Sequence, residues 1–337
     1  MGTVVHLKKQ INNSYLELKN SVDEKLILVE EKIKSKLSSK VSLVDEMTNY
    51  HLRTGGKRLR ALLTLGSAKI CGYSKGSRDV NLAACVELIH AATLMHDDVI
   101  DNSEIRRGKK TLNSIWGNHS SILVGDYLLS RCFEMMVEDG NLEILKLLST
   151  TSAEISQGEV LQLQHKGEID MLEETYLKII SAKTASLFAA ATKVGSILAN
   201  KENKIKEALE FYGKNLGLTF QIADDSLDYN SELKFFGKKI GNDFYEGKVT
   251  LPIILLYQKA NIKEKSELKK LFEKNQRNED ELKKVLLMIK NYNIISDCYS
   301  RADYFINLAS NSLSIFDESK EKEILKNLTS FSLERSY

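Results

Sequence analysis

Two aspartate clusters of one form, Asp97-Asp98-Val99-Ile100-Asp101 and Asp224-Asp225-Ser226-Leu227-Asp228, stand 127 positions apart in the chain. Each closes a stretch of apolar residues at helical spacing. On a helix, positions i and i+4 share a face, so Asp97 lies with Asp101 and Asp224 with Asp228. Carboxylates that meet across a cavity at the ends of buried helices repel unless cations lie between them. Hard oxygen donors of this kind suit Mg2+, which takes one or two carboxylates and fills its shell with water and substrate phosphates. The expected guest is a diphosphate joined to the protein through Mg2+, the metal acting as a Lewis acid on the leaving oxygens. One such cluster is often only an acidic helix end; the second copy is what points to chemistry.

The cations fit the same reading. Gly55-Gly56-Lys57-Arg58-Leu59-Arg60 puts three of them after a flexible turn at a helix start, where free N–H groups favour anions. Arg106 and Arg107 follow the first cluster directly, and arginine can grip phosphate oxygens in bidentate fashion. Lys183-Thr184, Gln221, Lys238 and Lys248 are further donors, and His90 lies two helical turns before Asp97 on the same face. Two diphosphates need this many. The small residues Ala92 and Thr93, about one turn before Asp97, leave room for a hydrocarbon tail, with Phe133 and Met136 as tunnel-floor candidates.

The elements that must hold these groups read as helices. Apolar residues recur at helical spacing, as in Leu16, Val22, Leu26, Val29, Ile33 and Leu37. The single proline, Pro252, falls where a first helical turn tolerates it. The expectation is about a dozen helices and no sheet: an all-α fold in a single domain spanning residues 1–337. The segment 82–101 is apolar on every side with Glu87 as its only charge before Asp97, which predicts a central helix. Residues 237–247 read as an irregular loop and residues 262–337 as peripheral helices.

Composition excludes several classes. The 337 residues carry a net charge of +2, and lysine-rich stretches alternate with acids, so no basic stripe for nucleic acid exists. Cys71, Cys85, Cys132 and Cys298 form no close pair and read as reduced core thiols, which suits a cytoplasmic protein. No run approaches the ~20 apolar residues of a membrane span, and the N-terminus lacks a signal-like apolar region.

Taken together, GGKRLR, LIHAATLMHDDVIDNSEIRRG, GDYLLSRCFEMM, EISQGEVLQL, AKTASLFAAA, FQIADDSLDY and GKKIGNDFYEGKVTLP resemble the trans-polyprenyl diphosphate synthases, most nearly the octaprenyl type. The resemblance implies an isoprenoid-synthase fold around a central cavity, usually as a homodimer. It implies that Asp97 and Asp101 bind Mg2+ beside Asp98, and that Asp224, Asp225 and Asp228 form the second metal-binding motif. Lys57, Arg60, His90 and Arg107 match positions that bind isopentenyl diphosphate. Arg106, Lys183, Thr184, Gln221 and Lys238 match positions that contact the allylic diphosphate. Lys239 departs from the family pattern, where proline or asparagine is common. The implied reaction lengthens an allylic diphosphate such as farnesyl diphosphate to octaprenyl diphosphate for the ubiquinone side chain, any membrane contact serving product release. A shorter geranylgeranyl product is the alternative. A noncatalytic subunit of a heteromeric synthase would be expected to lack an aspartate motif, and both are complete.

Overall fold

The computed structural model describes residues 14–230 and 240–334. After a helical segment at residues 14–21, α1 (Asp23–Leu37), α2 (Ser42–Arg53) and α3 (Leu59–Ile70) lead to α4 (Arg78–Ile100). A two-stranded ribbon, β1 (Ile105–Arg106) and β2 (Lys109–Lys110), and the short α5 (Leu112–Trp116) connect it to α6 (Asn118–Asp139) and α7 (Leu142–Gln164). Next come α8 (Glu173–Ile180), a π-helical turn (Ser181–Ala185), α9 (Ser186–Leu198) and α10 (Asn203–Asp228). The rest comprises α11 (Asn242–Glu246), α12 (Leu251–Lys259), α13 (Ile262–Phe272), α14 (Glu279–Asn291), α15 (Ile294–Ser312), a 3-10 turn (Leu313–Ile315) and α16 (Lys320–Glu334).

The expected central helix is α4. Its residues from Leu82 to Ile89 are all buried, and it is flanked by α1, α3, α6 and α9. On the α6 side the approach is close: Cys132 Sγ donates to the Cys85 carbonyl, Ser121 Oγ to the Met95 carbonyl, and Gly125 lies against the His96 ring. Buried apolar residues form two clusters. One gathers α1, α3, α4, α6 and most of α9; the other gathers α8, the end of α10 and α12 to α15. The π-helical turn lies at their seam, with Ala185 in the second cluster and Leu187 in the first.

Three expectations need correction. The chain is not wholly free of strands: Ile105 pairs with Lys110 and Arg106 with Lys109. Arg107 and Gly108 at the tip have φ of 53° and 75°. Positive φ at both central positions is the mark of the type I′ hairpin turn. Nor is the C-terminal third wholly peripheral. In α15, Cys298, Ala302 and Ala309 are fully buried, and Thr219 Oγ1 of α10 donates to the Ala302 carbonyl. Small residues let α15 approach α10 closely, a signal that counting large apolar side chains misses. Likewise part of the predicted loop, residues 242–246, is the helical turn α11.

Candidate active site

The first aspartate cluster ends α4, and its three carboxylates have different neighbours. Asp97 Oδ2 is 3.9 Å from Lys183 Nζ. Asp101 Oδ2 accepts from Lys248 Nζ at 2.8 Å. Asp98 is buried and accepts from Arg106 Nε at 2.8 Å. Burial pushes the Asp98 carboxyl above its ordinary range, against the pull of Arg106. Asp97 and Asp101 keep 15% and 18% of their side-chain surface open, and Asp101 lines the cavity between the clusters.

The second cluster ends α10 and divides similarly. Asp225 is buried and accepts from Tyr176 Oη and Gln221 Nε2, both at 2.7 Å. Burial raises its pKa to about 7 in spite of those two donors. Asp228 accepts the backbone N–H groups of Gly241, Asn242 and Asp243 at 3.1, 3.1 and 2.8 Å. A carboxylate offers about four lone-pair sites, so three are occupied in fixing the start of α11. Asp224 is exposed. Removing the phenol oxygen in Tyr176→Phe should cost about 1–3 kcal/mol of folding stability, because buried Asp225 loses an acceptor bond. Urea unfolding measures this, and a change within about 0.5 kcal/mol would mean the bond contributes nothing.

Both clusters meet at a cavity of about 100 Å³ whose lining includes Asp101, Glu159, Lys183, Gln221, Asp225 and Lys248. Lys183 enters it from the π-helical turn, a geometry that recurs at functional sites. Lys183 Nζ reaches Glu159 Oε1 at 2.5 Å and Gln162 Oε1 at 3.0 Å, while Thr184 Oγ1 donates to Gln221 Oε1 at 2.8 Å. Gly158 makes the α7 approach possible. A Cβ there would lie 2.8 Å from the Lys183 backbone nitrogen. Burial and then the Asp97 charge raise Glu159 to about 7, with Lys183 opposing. Lys248 also pairs with Glu246 at 2.7 Å. Burial works against its charge, but Asp101, Glu246 and Asp243 outweigh burial and hold the ammonium above its usual range.

A second cationic group lies further along α4. The partly buried stripe of that helix runs His90, Thr93, Leu94, Asp97, Asp101, the i, i+3/i+4 face that the spacing predicts. Burial and then Arg60, Arg107, His51 and Arg106 hold His90 well below its ordinary pKa. Burial and then Arg58 and Arg107 lower His51 to about 4. Arg60 has its guanidinium carbon 4.7 Å from the Phe188 ring centroid, and its Nε is shut off from solvent without a hydrogen bond. Burial pulls it down to about 10 against the attraction of Glu87. Arg107 donates to the Gly55 carbonyl and lies over Gly56. Lys57 Nζ sits 5.7 Å from the Tyr15 ring centroid. Arg60 and Arg107 thus repel each other and hold His90 and His51 neutral, an arrangement that a bound anion would relieve.

A profile of the polyprenyl synthetase family matches residues 41–289, well over half of the chain. The chain belongs to the polyprenyl synthetase family. It is therefore a prenyltransferase. It is 39% identical over 299 residues to the all-trans-nonaprenyl-diphosphate synthase (geranyl-diphosphate specific) of Rhodobacter capsulatus, covering 89% of this chain and 91% of that one. It is 43% identical over 222 residues to octaprenyl diphosphate synthase of Escherichia coli, covering 66% of this chain and 68% of that one. Its fold matches the polyprenyl synthase of Caulobacter crescentus with a TM-score of 0.91 at 36% identity, over 96% of this chain and 98% of that one. Among the described residues no helix is long and apolar enough to cross a membrane.

The structure brings together Asp97, Asp98, Asp101, Lys183, Thr184, Gln221, Arg106 and the second cluster at one end, and Arg60, His90 and Arg107 at the other. Lys238 lies outside the described residues. Phe133 is not in the interior: it is 43% exposed, on the outer face of α6, while Met136 is buried. Ala92 is fully buried on the α4 face toward α6, between Cys85 and His96, so Thr93 and not Ala92 faces the open side. Composition and spacing did not single out Glu159, Gln162, Tyr176, Asp243 or His51. The first two lie in the string EISQGEVLQL, which carried the resemblance without a role for either.

Proposed function

We propose that this polyprenyl synthetase lengthens an allylic diphosphate, such as farnesyl diphosphate, by successive addition of isopentenyl diphosphate, and that its product is a long chain of the octaprenyl class for a ubiquinone side chain. The observation that carries this reading is the pair of separate anion-recognising groups on one face of α4. Asp97 and Asp101 with Lys183 and Lys248 stand at its end. Arg60, His90 and Arg107 stand two turns away. An enzyme that cyclised one diphosphate would need only the first.

The donors fit Mg2+. Asp97 and Asp101 are hard, partly open oxygen ligands on one helix face, and Asp224 is the exposed member of the opposite cluster. Among the described residues no three acidic, histidine or cysteine side chains enclose an ion by themselves, which leaves ligand positions for diphosphate oxygens. The Caulobacter crescentus relative was solved with calcium and isoprenyl diphosphate, a divalent cation and a diphosphate. When bound, the metal supplies Lewis acidity at the departing diphosphate. Lys183, Lys248 and Arg106 place fixed positive charge where negative charge develops, without reorganising at that moment. Lys238 is assigned the same role. Thr184 and Gln221 orient the allylic group, and Asp225, held by Tyr176 and Gln221, keeps Gln221 in place. Asp228 acts on α11, with metal ligation through its remaining lone pair. Lys57, Arg60, His90 and Arg107 seat isopentenyl diphosphate so that its double bond meets the allylic carbon. The apolar walls keep water from the cation-like centre.

The protein is expected to work as a cytoplasmic homodimer. The outer face of α6 exposes Leu123, Phe133 and Val137, apolar side chains that a second copy can cover. Light scattering should return twice the chain mass, and Leu123→Glu with Val137→Glu should reduce it to one.

The deciding experiment incubates the protein with farnesyl diphosphate, excess isopentenyl diphosphate and Mg2+, with EDTA as control, and reads the products by mass spectrometry. A discrete long product lost with EDTA supports the reading. No product from folded protein under any allylic starter would sink it.

A further inference from the structure

We propose that Glu87 is a positioning residue: from the middle of α4 it holds the turn at residues 55–60 in the shape that presents Lys57 and Arg60 to the second diphosphate. This rests on the function proposed above.

Glu87 is the one charged residue between Asp79 and Asp97, and it is only 4% exposed. An ionised carboxylate so placed is costly unless it is paired. Its two oxygens serve two parts of the same turn. Oε1 accepts the backbone N–H of Ala61 at 3.1 Å. Oε2 lies 3.7 Å from Arg58 Nη1. Ala61 is the third residue of α3, and its N–H is one that a helix-capping side chain normally satisfies. The residue at that capping position is Arg58, which makes no such bond. Glu87 therefore caps α3 from another helix, and its charge also suits the positive end of the helix dipole.

Arg58 explains why an outside anchor is needed. Its backbone is left-handed, with φ 49° and ψ 36°. For a residue with a Cβ that conformation is sterically unfavourable. Its side chain turns toward Glu87 and toward Glu30, whose Oε1 is 3.7 Å from Arg58 Nε. Of the three cations expected to meet a diphosphate, Arg58 is thus an anchor, and only Lys57 and Arg60 are left to bind. Two further contacts hold the same turn by its carbonyls: Tyr15 Oη donates to Lys57 at 2.9 Å, and Arg107 donates to Gly55. Glu87 also offsets part of the charge of Arg60, the cation pressed against Phe188.

The test uses the full chain and compares Glu87→Gln with Arg58→Met and the double variant. Glutamine keeps the shape and an acceptor for Ala61 but removes the charge facing Arg58. The expected result for Glu87→Gln is a KM for isopentenyl diphosphate raised about tenfold, since small displacements of a binding group cost one to two orders of magnitude. The KM for farnesyl diphosphate and kcat should stay within about twofold. The double variant should be no worse than the poorer single one, because the two residues act through each other. Calorimetric binding of isopentenyl diphosphate alone should weaken in parallel. Equal changes in both KM values, a fall in kcat alone, or a lower Tm with unchanged binding would overturn the proposal. Because binding is read without turnover, a wild-type protein that binds isopentenyl diphosphate but makes no product would count against the proposed reaction and not against the clasp.

Discussion

Replacing Asp97 by alanine should lower turnover by roughly a thousandfold or more while leaving the fold intact, because it removes one of the two open carboxylates at the mouth of the cavity. The geometry separates the chemical effect from a structural one. Asp97 supports no backbone group and lies 3.9 Å from Lys183, which has closer partners in Glu159 and Gln162. Its charge and its hydrogen bond to Glu159 both raise the pKa of that residue, so its loss relieves repulsion while removing one bond. The melting temperature should therefore change little. The contrast is Asp228→Ala, which frees three backbone N–H groups and should lower stability as well as activity. Steady-state rates with farnesyl and isopentenyl diphosphates, alongside thermal unfolding, decide the matter. Near-normal turnover in Asp97→Ala would remove that residue from the reaction.

The second large effect concerns product length. Thr93→Phe should stop growth within about one or two additions, since a helical turn advances ~5.4 Å, close to one extended isoprene unit. Thr93 is one turn before Asp97 on the open stripe of α4, and a phenyl ring there would cross the path of a tail leaving the cavity. Ala92→Phe should behave differently. Ala92 is fully buried toward α6, where the helices touch at Cys85 and Cys132, so the added ring overpacks that contact at a cost of about 1–3 kcal/mol. Mass spectrometry of products and thermal unfolding of both variants form the test. A shortened product from Ala92→Phe, with Thr93→Phe unchanged, would put the tail on the α6 side.

What the sequence showed and what it hid follow from the range of the interactions. The two aspartate clusters, the central helix and the cationic turn were legible because period and residue type are local properties. Pro252 stands in the first turn of α12, where its position was expected to be tolerated. The division of labour within each cluster was not legible. That Asp98 answers to Arg106, Asp225 to Tyr176 and Asp228 to the start of α11 depends on contacts 8, 49 and 13–15 residues apart. The role of Arg58 was hidden for the same reason, since its partners lie on α1 and α4. The burial of α15 was hidden by its composition: alanine and cysteine fill little volume, so close approach to α10 carries almost no hydrophobic signal.

The π-helical turn at Ser181–Ala185 has a consequence for length variation in this helix. It holds one residue more than an α-helical path would use, and beyond it Leu187 and Phe188 are locked in the core at 2% and 0% exposure. Deleting Ser181 or Ala185 would restore ordinary winding and leave the core face beyond it in place. The Lys183-Thr184 pair, which owes its direction to the extra residue, would then point the wrong way. The aim of that lysine is thus a matter of counting: lose a single peptide unit and every side chain needed is still present, but no longer in phase.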